Sequence, residues 1–231
     1  MYPITLFMPP AALPARNAAA RDAREEQANS LTHALGAVLS LVGAAALLPR
    51  ALQRDDWLIA SGTMVFCGAL LILYSASAIY HGLTDRRWKH WFLRFDYAGI
   101  FLLIGGTYTP ILLVHLRNGL GWGVLTTVWT LCTAGMVLAV RHQFPWRSQA
   151  ASTLFYLSLG WLSLLVLPSL GSAMPAEGFR VLVLGGVCYT LGTVFFAWER
   201  LPYHHAIWHV HVLAGSACHW FAIYYSLPPG G

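Results

Sequence analysis

The chain has 231 residues, of which 57% are hydrophobic and 10% charged, against roughly 45–50% and about 25% in an ordinary soluble domain. That balance excludes a soluble globular protein. The formal charge of +5 comes from fourteen Lys and Arg that sit in the gaps between apolar runs, so they report topology and do not form the continuous basic face that nucleic acid requires.

Seven stretches contain no Asp, Glu, Lys or Arg: 27–49, 57–84, 97–116, 118–140, 148–176, 181–198 and 201–231. Each is long enough to cross a bilayer, which takes roughly 20 apolar residues. The expectation is therefore an all-α polytopic membrane protein, a seven-transmembrane-helix bundle over residues 29–231, preceded by a cytosolic segment, 1–28. That segment holds Pro9, Pro10 and Pro14 and mixes three Arg with three acids, unlike the short basic start of a cleaved secretory signal. The first span is expected from Asn29 to Leu48, stopping at Pro49, and the second from Trp57 to Gly82. The third runs from Asp96 to His115, the fourth from Trp122 to Val140, and the fifth from Ser152 to Leu170. The sixth runs from Phe179 to Trp198 and the seventh from His204 to Tyr225. With a cytoplasmic N-terminus, ten of the fourteen cations fall on the cytoplasmic side and four outside: Arg50, Arg54, Arg117 and Arg180. The positive-inside rule then favours N-in and C-out.

Gly99, Gly105, Gly106, Gly185, Gly186, Gly192 and Gly215 read as sites of close helix approach, because lipid supplies no hydrophobic drive between helices. Trp57, Trp122, Trp146 and Trp198 lie near span ends and read as interfacial anchors. Cys67, Cys132, Cys188 and Cys218 show no paired spacing and read as small packing residues rather than a disulfide framework.

Polar groups at membrane depth are costly, so those retained there are the functional candidates. They are Glu25, Glu26, Asn29 and His33 at the first span, Ser77 and His81 at the end of the second, Asp96 opening the third, and His204, His205, His209, His211 and His219 in the seventh. His205 and His209 are spaced i, i+4, which puts both imidazoles on one helical face, about 5–6 Å apart at Cβ. His211 points elsewhere, and His219 lies roughly 15 Å beyond His209 at 1.5 Å per residue. A third ligand has to come from another helix, and His81, at matching depth with Ser77 one turn earlier, is the candidate. Three imidazoles and a water make a catalytic-type zinc site, with Asp96 beside the water. The competing reading keeps these histidines as interfacial hydrogen-bonding groups, Ser77 as a back-bonded helical serine and Asp96 as a helix cap.

At these residues the sequence resembles the hemolysin III branch of the progestin/adiponectin receptor family, within a wider superfamily that includes alkaline ceramidases. The resemblance rests on Glu-Glu-x-x-Asn-x-x-Thr-His from Glu25 to His33, Ser-x-x-x-His from Ser77 to His81, Phe-Asp-Tyr-Ala-Gly from Phe95 to Gly99, and His-x-x-x-His at His205 and His209 followed by His219. It implies zinc (Zn2+) on His81, His205 and His209, with Asp96 near the metal water and Ser77 one turn before the first ligand. It leaves Glu25, Glu26, Asn29 and His33 as groups that orient ligands or dock the first helix. It also implies a bacterial inner membrane, but it does not carry over the identity of a substrate. The expected topology puts the metal site near the cytoplasmic face with membrane lipids as surroundings, a site reachable from bilayer and cytosol suggests a lipid-like substrate, and no protein partner is indicated.

Two functions follow. One is a ceramidase-like zinc hydrolase cleaving a lipid-like amide or ester. The other is a non-enzymatic membrane sensor or regulator in which zinc braces helices. Pore formation has little to rest on, since no strip of charge lines any span.

Overall fold

The computed structural model describes residues 15–141 and 149–227. They form α1 (Ala15–Leu52), α2 (Trp57–Gly82), α3 (Arg86–His115), α4 (Gly119–Val140), α5 (Gln149–Trp161), a 3-10 turn (Leu162–Leu165), α6 (Leu167–Ala173), α7 (Ala176–Ala197) and α8 (His204–Ser226). No strand occurs among the described residues. The chain is an all-helical bundle, as its composition requires: in lipid every backbone polar group must be satisfied within its own segment.

Short polar connections start the helices. Asp56 accepts from the Leu58 and Ile59 amides and opens α2. Asp85 accepts from the Arg87 and Trp88 amides and opens α3, and Asn118 accepts from the Gly121 amide and opens α4. Each satisfies amides that have no intrahelical partner.

Several boundaries differ from expectation. α1 is helical from Ala15, well inside the segment expected as a lead-in, and it continues through Pro49 to Leu52, although proline lacks the N–H that would bond the carbonyl four residues before it. α3 starts ten residues before Asp96. Its first turns carry charge and so fall outside a charge-free run, yet nothing in them opposes a helix. Asp96 is therefore an interior helical residue, and Asp85 holds the capping role. The fifth span is not one rod: α5 and α6 are bent by 54° around the 3-10 turn, with Pro168 in the first turn of α6.

Five helices are long and apolar enough to cross a membrane, α1 to α4 and α7, or six if the bent α5–α6 pair counts as one span. α8 has 23 residues, enough to cross, but its five histidines dilute its apolar character. The chain is an integral membrane protein.

The closest packing joins α2 to α1 and α3, and α7 to α8, while α4 lies on α3 and α8 returns to α1. A methyl group at Gly99 would sit 2.8 Å from Leu73 Cδ1, and one at Gly185 would run into the His219 ring. These two contacts show why α2–α3 and α7–α8 approach so closely. Gly186 does not share that role, since a methyl there would come no nearer than 3.8 Å to Trp161. The α5–α6 pair touches its neighbours far more sparsely, and a cavity of about 570 Å³ opens between it and α3, α7 and α8. Cys67 and Cys132 are buried, Cys188 and Cys218 half-buried, and all four thiols are free. Trp57, Trp122 and Trp198 are exposed; Trp146 lies outside the described residues.

Candidate metal centre

Three helices build the site. α2 ends with Ser77 and His81 one turn apart, both buried. α8 begins with His204 and His205, and its i, i+4 spacing turns His205 and His209 to the same side. The chain enters α8 through Tyr203 at φ 58°, a left-handed conformation that a non-glycine residue holds only when its surroundings fix it.

The rings of His81, His205 and His209 converge. Their centroids lie 5.0 Å apart for His81 and His205, 5.2 Å for His81 and His209, and 4.6 Å for His205 and His209. One ring nitrogen from each lies within 4.8 Å of the other two. These three side chains could hold a metal ion.

α1 decides which nitrogens face the centre. His81 Nδ1 donates to Glu26 Oε2 at 3.0 Å, and Lys89 Nζ holds the same oxygen at 2.9 Å. His209 Nδ1 donates to the Asn29 carbonyl at 3.2 Å and faces the Thr32 hydroxyl at 3.1 Å. With both Nδ1 atoms engaged as donors, the tautomers that fit these partners leave Nε2 as the lone-pair atom on each ring. His81 Nε2 is buried and has no hydrogen-bond partner. A buried orphan acceptor between two further imidazoles costs free energy unless something fills the space, and a borderline-soft divalent cation suits three imidazoles. The donor set fits zinc. An outer carboxylate or carbonyl on each ligand's remaining N–H is the usual way that a metal-binding histidine is held.

His33 lies against His209, with ring centroids 3.5 Å apart and planes within 13°, and its edge meets Tyr74 at 5.0 Å. It is 3% exposed, and neither ring nitrogen has a partner. Asn29 acts through its backbone carbonyl, its own buried Oδ1 having no partner. Glu25 lines the same cavity as Glu26. Asp96 on α3 lies beside Ser77 and faces His81, without completing a well-formed hydrogen bond to the Ser77 hydroxyl. Asp96, His81, His205 and His209 all line the 570 Å³ cavity, which continues past apolar Ile104, Leu112 and Leu182 to His219.

The other histidines are engaged elsewhere. His204 pairs with the Phe196 carbonyl, His211 with the Ile207 carbonyl, and His219 donates from Nε2 to the Leu182 carbonyl. His90 meets Arg94, and His115 meets Ser226; His142 lies outside the described residues. The residues overlooked in the sequence are Thr32, Tyr74 and Lys89. Thr32 stands inside the Glu25–His33 block, where its place one residue before a histidine was the available signal.

The model of the family described as "Haemolysin-III related" matches residues 21–220. The chain is 38% identical over 206 residues to Hemolysin-3 of Bacillus cereus, covering 89% of this chain and 93% of that protein. It is 38% identical over 201 residues to the Hemolysin-3 homolog of Bacillus subtilis, covering 87% and 93%. Over 209 residues it is 30% identical to the monocyte to macrophage differentiation factor of Homo sapiens, covering 87% and 83%. No solved structure matches. The histidine, aspartate and serine blocks, carried at matching depth on a helical membrane bundle, thus sit within a likeness that spans most of the sequence, and the chain belongs to the haemolysin III family.

Proposed function

We propose that the protein is a zinc-dependent membrane hydrolase acting on a lipid-like amide or ester. In this reading residues 29–231 form one domain of seven spans, with α5–α6 as a broken fifth span and α8 as the last. Residues 1–28 and the metal site lie on the cytoplasmic side of a bacterial inner membrane, and the C-terminus lies outside. The charge count of ten against four supports that orientation.

The observation that carries the reading is the convergence of His81, His205 and His209 at the mouth of a cavity that Asp96 shares. When bound there, zinc would supply Lewis acidity, lowering the pKa of a coordinated water to about 7 and polarising a carbonyl. His81, His205 and His209 contribute three neutral nitrogens and leave room for a fourth group. Glu26, Asn29 and Thr32 fix the ring orientations through Nδ1. Asp96 accepts the proton of the attacking water and returns it to the leaving group. Ser77 orients the water or the developing oxyanion. The apolar reach of the cavity toward Leu182 accommodates an acyl chain and keeps water from it. Membrane lipids are then both solvent and source of substrate.

The test is turnover of N-acyl lipids by purified protein of verified zinc content. Asp96→Asn should lower the rate by about 10²–10⁴ while zinc stays stoichiometric; no turnover, or turnover indifferent to Asp96, overturns the reading.

A second reading is favoured by one observation: Glu26 and Asn29 tie α1 to ligands on α2 and α8. A metal there would brace three helices of a sensor or regulator. In that case Asp96→Asn leaves the cellular phenotype intact, while metal removal loosens the bundle.

A further inference from the structure

A second binding feature lies on the outside of the bundle, away from the metal centre. A groove of about 310 Å³ runs between α2, α3 and α4, and its walls include Ile72, Ile79, Phe92, Phe95, Leu102 and Met136. Its floor is low because Ala76, Ala98 and Gly99 carry little or no side chain, and Gly99 draws α3 onto Leu73 of α2. The flanking Ile72, Ile79 and Phe95 are 53%, 42% and 43% exposed. The groove is thus an indentation in the apolar surface, narrow enough for a hydrocarbon chain and too small for a protein element.

One end of this groove is charged. Arg87, Trp91, Arg94 and Ala98 follow at i, i+4, i+7 and i+11 along α3, so they share one face, and Ala98 is part of the groove itself. On α4, Met136 lines the groove; Val140 stands one turn further on, and exposed Arg141 follows it. Arg94 joins the two helices there: Nη1 donates to the Val140 carbonyl at 3.2 Å, and its guanidinium lies 4.2 Å from the Trp91 ring centre. Nη2 meets His90 Nε2 at 3.0 Å. None of these partners is a carboxylate, and Arg94 Nε is buried with no acceptor. Arg87, two turns earlier on the same face of α3, and Arg141, one residue after Val140, are exposed. This differs from Lys89 on the inward side of α3, whose charge Glu26 answers.

We infer that this groove binds an anionic phospholipid of the surrounding bilayer, one acyl chain lying along Ile72, Phe95 and Met136 and the phosphate at Arg94, Arg87 and Arg141. An indole and guanidinium cluster at the level of the headgroups, above a chain-sized groove, matches such a lipid in both parts: basic pockets between membrane helices select anionic headgroups, and Trp anchors at the same level. A zwitterionic lipid would fill the groove equally well and offer the same phosphate, but its ammonium would offset that charge beside three guanidinium groups, so the anionic lipid is preferred. The site is independent of the metal and of any hydrolysis.

The experiment is lipid retention by the intact protein, read by native mass spectrometry after transfer from nanodiscs of phosphatidylcholine with one-tenth phosphatidylglycerol. Phosphatidylglycerol should be retained well above its share of the bilayer. Arg87→Gln with Arg141→Gln, both at exposed positions and tolerable to the fold, should lower that preference by about fivefold per charge removed. Ala98→Phe, which fills the groove and leaves every cation in place, should lower retention of both lipids. Retention in proportion to bilayer composition overturns the inference, as does a preference unchanged in the double variant. Total lipid retention unchanged by Ala98→Phe, with a preference that falls in the double variant, overturns the groove and leaves only a diffuse charge effect.

Discussion

The two ends of the bundle handle buried polarity in opposite ways. At the end away from the histidines, most buried polar groups answer one another, the Nε atom of Arg54 being an exception. Arg50 at the end of α1 donates to the Leu227 carbonyl and the Tyr224 hydroxyl, with its guanidinium 3.8 Å from the Tyr224 ring centre. His115 meets Ser226 at 2.8 Å, and Arg117 meets Asp56 at 2.6 Å. At the histidine end, His81 Nε2, both nitrogens of His33, Ser77 Oγ and Asn29 Oδ1 are buried without partners. A buried polar atom left unmatched costs about 1–3 kcal/mol, so a protein retains several in one place only where something else uses them. One end closes the bundle; the other gathers three imidazoles that could hold a metal ion.

Substitutions at the two ends should therefore separate cleanly. The largest effect is expected from His81→Ala and His209→Ala, each removing one of three ligands: elemental analysis should show stoichiometric metal in the wild type and none in either variant. Metal content unchanged by both would mean that the orphan nitrogens have another explanation, and the contrast between the ends would lose its chemical meaning. Glu26→Gln should act less severely. It preserves shape but withdraws the carboxylate from His81, and loss of such an outer partner typically weakens metal affinity 10–100-fold. Competition with a chelator of known affinity measures this, and an unchanged dissociation constant would show that Glu26 only docks α1.

How much of this was legible in the sequence depends on what each residue had to decide. The limits of α2 follow from Asp56, a capping residue directly before a run without charge, and the structure starts and ends the helix at the expected residues. The start of α3 was misplaced because absence of charge marks membrane depth, whereas helicity depends on caps and propensity; Arg86 to Arg94 is good helix sequence that happens to be polar. The break after Trp161 was half visible, Pro168 marking a weak point while the 3-10 turn before it depends on how α5 meets its neighbours. In the site, the i, i+4 pair on α8 was readable because one helix sets its own geometry. The arrival of α1 was not: which atom of Asn29 meets His209, and that Lys89 reaches Glu26 rather than only marking a loop, depends on the rotation of one helix against another. Local spacing carries no record of that rotation.

At the closed end the expected effects are on stability alone. Arg50→Met removes a charged group with three contacts, and losses of this kind run to about 1–3 kcal/mol. Thermal unfolding in detergent should fall while metal content stays at the wild-type level; a loss of metal here would show that the two ends are coupled through α1.

The smallest effect concerns Asp56, in the connection before α2. The Arg117 guanidinium beside it, helped by the Leu58 and Ile59 amides, holds its carboxyl below the usual carboxylate range. A group whose folded pKa lies below its unfolded one binds its proton less readily when folded. Its contribution to stability is present above the unfolded value, near 3.8, and is lost as pH falls through the folded value. Asp56→Asn should therefore lower the unfolding temperature at neutral pH by roughly a degree, as expected of a solvent-screened pair. The difference from wild type should shrink as the medium is taken below the normal carboxylate pKa. A difference that grows on acidification would mean that the carboxyl is stabilised in its neutral form, and that Arg117 is engaged by something other than its charge.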